Sequence, residues 1–82
     1  MVDLVIGAIR HLASRKLIPM DLASRPLDGA TAIDDLGIDS LGKLELLTEL
    51  EERADVILSE GMLQGLRTLD DLARAVAQVK QS

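Results

Sequence analysis

The chain has 82 residues, no cysteine, no aromatic residue and a net charge of −5 at pH 7. That length predicts one domain, spanning residues 1–82, which buries only about 60% of its unfolded-chain surface and has no room for a deep enclosed active site. Without cysteine there are no disulfides, thiolate metal sites or cysteine nucleophiles, and without aromatics there is no stacking on bases and no cation–π recognition.

Residues 2–16 predict a first helix, because Val2, Val5, Ile6, Ile9, Leu12 and Ala13 recur at helical spacing. Arg15 and Lys16 suit its C-terminal dipole, and Pro19 prevents continuation. Residues 17–33 lack periodicity and hold Pro19, Pro26 and Gly29. So long a connection should pack through Leu17, Ile18, Met20, Leu22, Leu27 and Ile33, with a short turn near residues 32–35.

Residues 41–54 predict the second helix. With Leu41 at zero, Leu46, Leu47, Leu50 and Ala54 fall between about 140° and 240°, and Glu45, Thr48, Glu49 and Glu52 lie within about 80° of Leu41. Leu41 therefore sits on the acidic side, either tucked under the loop or exposed as an anchor. Lys43 falls toward the core side and must snorkel outward. Ser59 is a plausible cap for a short, glycine-weakened helix to about Gly65. A last helix over 68–80 has Thr68 as N-cap and buries Leu69, Leu72, Ala73, Val76 and Val79. The class is all-α: a four-helix bundle of three longer helices and one short one, with a long loop between the first two.

Charge is unevenly placed. Residues 1–33 sum to +1, residues 34–60 to −7 and residues 61–82 to +1. The acidity therefore surrounds Ser40 and the helix after it. Nucleic acid is an unsuitable partner, since phosphate binding needs clustered Lys and Arg, whereas a basic protein surface is a suitable one. No run of about 18 apolar residues offers a membrane span, and the N-terminus lacks a signal-peptide layout. A cytoplasmic location fits these features.

Two chemistries fail at Ser40. A nucleophile elbow needs glycine two residues before the serine, where this chain has Ile38, and the single histidine, His11, lies mid-helix among aliphatic neighbours. A calcium loop over Asp34 to Glu45 would place Leu36, Ile38 and Asp39 where oxygen ligands and glycine are required. Neither a catalytic residue nor a metal ligand is therefore assigned. A serine on a helix's first turn, however, sits beside unpartnered N–H groups and a dipole that favour added phosphate.

The stretch Asp35-Leu36-Gly37-Ile38-Asp39-Ser40-Leu41, followed by Leu44-Glu45-Leu46-Leu47 and Leu50-Glu51, strongly resembles the phosphopantetheine attachment site of acyl carrier proteins, and the likeness extends over essentially the whole chain. The resemblance implies 4′-phosphopantetheine on Ser40, installed from coenzyme A by a phosphopantetheinyl transferase, with Asp39 assisting that modification. It implies that Leu41, Glu45, Glu49 and Glu52 meet basic partner enzymes, namely acyl ligases, acyltransferases or synthases. The chain would be a monomeric carrier without catalysis of its own.

Departures from the family pattern point away from the housekeeping fatty-acid carrier. Gly42-Lys43 stands where those members usually have an acid and a threonine, and Arg53-Ala54 where an acid and an aromatic are common. The expectation is a specialised acyl carrier of a lipid, fatty-acid or polyketide pathway. A peptidyl or aminoacyl carrier, usually less acidic in the second helix, and an unmodified carrier-like interaction module are the alternatives.

Overall fold

The computed structural model describes residues 1–81. Three α-helices, α1 (Val2–Ser14), α2 (Ser40–Ala54) and α3 (Leu69–Gln81), are joined through single 3₁₀ turns at Met20–Ala23, Ile33–Leu36 and Glu60–Leu63. The fold is all-α, and the apolar faces of the helices meet in one aliphatic core. Val5, Ile9 and Leu12 of α1, Leu46 and Leu50 of α2, and Leu69, Leu72 and Val76 of α3 are buried there. These are core positions that the helical spacing predicts.

The ends of α1 and α2 follow local chemistry. α1 stops at Ser14, two residues before the expected end, because Lys16 turns left-handed at φ 65°. The N–H of Leu17 then reaches the Leu12 carbonyl (3.0 Å) and that of Lys16 the Ala13 carbonyl (3.0 Å), which satisfies the last carbonyls of the helix. Asp55 closes α2 likewise, at φ 56°, with the Val56 N–H on the Glu51 carbonyl.

The short helix expected from Ser59 to Gly65 is a single 3₁₀ turn, Glu60–Leu63, and Ser59 makes no side-chain cap bond. With Gly61 and Gly65 in so brief a segment, helix propagation has too few residues to offset nucleation.

The long connection is anchored to its surroundings. Ile18, Leu22, Ile33 and Leu36 enter the core, while Leu17 and Met20 stay exposed. Arg10 of α1 donates from Nη1 to the carbonyls of Leu22, Ala23 and Arg25 at 3.1–3.2 Å, fixing the end of the first turn. At its far end the connection is stitched to the start of α3. Ile33 N–H bonds the Arg67 carbonyl (2.8 Å), Leu69 N–H that of Thr31 (3.0 Å) and Asp70 N–H that of Gly29 (2.9 Å), around an isolated bridge between Ala32 and Thr68.

Thr68 caps α3 as expected: its Oγ1 accepts from the Asp71 N–H, while Asp71 Oδ2 accepts from the N–H groups of Arg67 and Thr68 at 3.1 and 3.2 Å. This reciprocal box holds the Asp71 carboxyl below its ordinary value of 3.8, chiefly through the backbone bonds from Arg67 and Thr68. A depressed folded-state pKa means that this stabilisation is complete above the ordinary value and is lost as pH falls through the lowered one. Asp71→Asn should therefore flatten the acid limb of a melting-temperature profile below about pH 4. A profile of unchanged slope there would show that Asp71 does not couple folding to protonation.

Candidate functional site

The head of α2 is built by the loop that precedes it. Gly37 ends the second 3₁₀ turn in the left-handed region, φ 69°, which reverses the chain at little steric cost. Ile38 then folds inward and is 9% exposed. Asp39 is extended and serves as N-cap, its Oδ1 accepting the Gly42 N–H at 2.7 Å. Ser40 becomes the first helical residue, exposed, and its hydroxyl has no hydrogen-bond partner among the described residues.

Gly42 is buried because two isoleucines cross it. A Cβ there would lie 2.6 Å from Ile38 Cγ2 and 3.1 Å from Ile18 Cγ2. Position 42 thus accommodates the close approach of the loop to the helix.

Ser40 opens on a cavity of about 320 Å³ lined by Lys43, Leu44, Leu63 and Gln64, with no carboxylate in the lining. Beside it lies a second cavity of about 220 Å³, walled mainly by Ile33, Leu46, Leu63, Leu66 and Leu72. Lys43 and Leu63 belong to both linings. An anion on Ser40 therefore meets a cation and an amide, and an apolar continuation meets aliphatic walls.

The fold brings Asp39, Ser40 and Leu41 together at one corner, and Leu41 is 67% exposed. This resolves its two sequence readings in favour of an exposed residue. Glu45, Glu49 and Glu52 run down α2 from that corner. Glu52 is exposed, Glu45 half-buried, and Glu49 pairs with Arg53 at 2.7 Å. Glu51 has a structural task, its Oε2 accepting the Leu58 N–H at 2.9 Å. His11 is exposed on α1 and lines neither cavity. Among the described residues no cluster of His, Cys, Asp or Glu could hold a metal ion, and no helix is long and apolar enough to cross a membrane.

Sequence reasoning missed Leu63 and Gln64, which approach Ser40 only through the path of the 55–67 segment. It also missed the capping role of Asp39, although aspartate directly before a helical run is a recognisable N-cap signal.

Comparison with known proteins points to one family. The family described as "Phosphopantetheine attachment site" matches residues 18–76. An acyl carrier protein of Karelsulcia muelleri is 45% identical over 42 residues, 51% of each chain. One of Phytoplasma australiense is 46% identical over 39 residues, 48% of this chain and 51% of the relative. These two alignments span about half the length of those relatives. An acyl carrier protein of Brachyspira hyodysenteriae is 29% identical over 77 residues, 94% of this chain and 97% of its own. No solved structure matches the chain significantly.

Proposed function

The chain belongs to the phosphopantetheine attachment site family, that of the acyl carrier proteins, and from that premise we propose that it carries an acyl group on a 4′-phosphopantetheine arm joined to Ser40. When attached, the arm supplies a terminal thiol that holds the acyl group as a thioester. Everything else is positioning. The observation that carries this reading is the exposed, unpartnered Ser40 hydroxyl at the mouth of an acid-free cavity that adjoins an aliphatic one.

In this reading residues 1–82 act as one carrier domain, non-catalytic, monomeric and cytoplasmic. Asp39 uses Oδ1 to cap α2, which leaves Oδ2 without a partner among the described residues and available to assist the phosphopantetheinyl transferase. Leu41 offers an apolar knob to partner enzymes. Glu45, Glu49 and Glu52 add a negative flank that favours basic surfaces on acyl ligases, acyltransferases or synthases. The −7 sum over residues 34–60 supports that choice. Tethering then raises the effective concentration of the acyl group at each partner without any chemistry by the chain. The departures at Gly42, Lys43 and Arg53-Ala54 support service in a specialised lipid, fatty-acid or polyketide pathway.

Incubation with coenzyme A and a broad-specificity phosphopantetheinyl transferase tests the proposal by intact mass. The wild type should gain one phosphopantetheine and Ser40→Ala none. No gain by the wild type, or a gain retained by Ser40→Ala, would overturn the assignment. Loading with panels of acyl and aminoacyl groups tests the cargo: charging by aminoacyl-activating enzymes alone would replace the acyl reading with the aminoacyl one.

A further inference from the structure

Lys43 stands between the two cavities. It lies three residues after Ser40, so the two side chains share one helix face with Cβ atoms about 5–6 Å apart. It is half-buried, and with Leu63 it is common to both linings. No ion pair or hydrogen bond involves its ammonium among the described residues. Asp34, exposed, is the other charged residue on the inner lining and does not pair with it. A long cation held against aliphatic walls without a counter-charge is poised for an anion arriving from elsewhere. The outer cavity has Ser40 at one side and contains no acid.

We infer that Lys43 is a positioning residue for the arm, its ammonium clamping the phosphodiester on Ser40 and its stem guiding the pantetheine across Leu63 toward the inner cavity. This deepens the carrier reading and rests on it. The phosphodiester supplies the missing negative charge, and the clamp keeps the root of the arm against the body of the carrier. Gln64, on the same lining, can accept from or donate to the amides of the arm just past the phosphate. The acyl end then meets Leu46, Leu66 and Leu72. Release to a partner requires only that a basic partner surface compete with one lysine for the phosphate. The clamp therefore couples partner docking to freeing of the arm.

The test uses the full chain loaded with isotopically labelled phosphopantetheine, with loading checked by intact mass. Phosphorus relaxation and heteronuclear NOE along the arm report its mobility in wild type, Lys43→Gln and Lys43→Arg. In low salt the wild-type phosphodiester should tumble with the body of the protein, Lys43→Gln should free it several-fold, and Lys43→Arg should keep it restrained. Raising salt to about 1 M, where screening acts within about 3 Å, should loosen the wild type and leave Lys43→Gln unchanged. Equal arm mobility in wild type and Lys43→Gln, or a wild type indifferent to salt, would overturn the clamp while leaving the carrier intact. If Lys43→Gln resists loading, the wild-type salt series decides alone. Failure of the wild type to load at all overturns both readings.

Discussion

Gly42→Asp is expected to destabilise the protein by about 1 kcal/mol, although aspartate in the first turn of a helix normally stabilises it. Replacing glycine in a helix contributes up to about 1 kcal/mol in propensity, and a negative charge near the helix start adds about 0.3–1 kcal/mol. Against these stands a Cβ 2.6 Å from Ile38 Cγ2 and 3.1 Å from Ile18 Cγ2, which cannot be accommodated unless Ile38 shifts. Overpacking of this kind costs about 1–3 kcal/mol. The new carboxylate would also crowd Asp39, whose Oδ1 would lie 3.2 Å from the added Cβ and which caps the helix. Gly42→Ala separates the two effects, since it retains the clash and removes the charge. Urea midpoints should fall in the order wild type, Gly42→Ala, Gly42→Asp. A Gly42→Asp protein as stable as wild type would show that Ile38 moves aside freely.

Leu50→Ala should lower stability by about 2–5 kcal/mol and the melting temperature by roughly 8–40 °C. Leu50 is fully buried at 0% exposure, in a core built without a single aromatic side chain. A domain of this size holds only about 4–12 kcal/mol in total, so the variant stands near the threshold of folding. Leu41→Ala provides the contrast. Its side chain is 67% exposed, so truncation should change stability by less than about 0.5 kcal/mol. Under the carrier reading the same change should weaken transfer by partner enzymes. Thermal denaturation of both variants side by side checks the pair. A Leu41→Ala protein that melts far below wild type would place that residue in the core after all.

Much of this arrangement was legible in the chain because helical spacing survives without knowledge of neighbours. Leu46, Leu47, Leu50 and Ala54 lie on one arc of α2 and all are buried. Thr68 with Asp71 three residues later is a short-range pattern, and it forms the cap the pattern predicts. The corner at Ser40 could be read from its loop and helix residues because they are adjacent in sequence. What resisted reading depends on contacts between distant segments. The space at Gly42 is taken by Ile18, 24 positions earlier in the numbering, a contact that spacing along the helix does not reveal. Gly61 and Gly65 already weakened the expected short helix, but only the folded backbone shows that one 3₁₀ turn suffices to cross from α2 to α3. Lys43 could be placed toward the core side from its angle alone, yet its two cavities exist only once Leu63 and Gln64 have been brought across.

The stitching of residues 29–33 to the start of α3 has a mechanical consequence for the inner cavity. Ile33, Leu46 and Leu72 belong to elements held by helix packing or by the three backbone bonds around the bridge. Leu63 and Leu66 hang instead on a strap tied at Leu58 by Glu51 and at Arg67 by Ile33. Between those ties the backbone is held to itself by the Glu60–Leu63 3₁₀ turn and by bonds from Met62 to Ser59, Gln64 to Gly61 and Leu66 to Leu63. One wall is masonry and the other is webbing. Under the carrier reading, lengthening the acyl group by one methylene would add about 0.8 kcal/mol of apolar burial, and the segment with fewer ties to the bundle would be the one to give way. The breadth of acyl groups accepted would, under the same reading, follow the slack of this short span between two knots, which can change without disturbing the core.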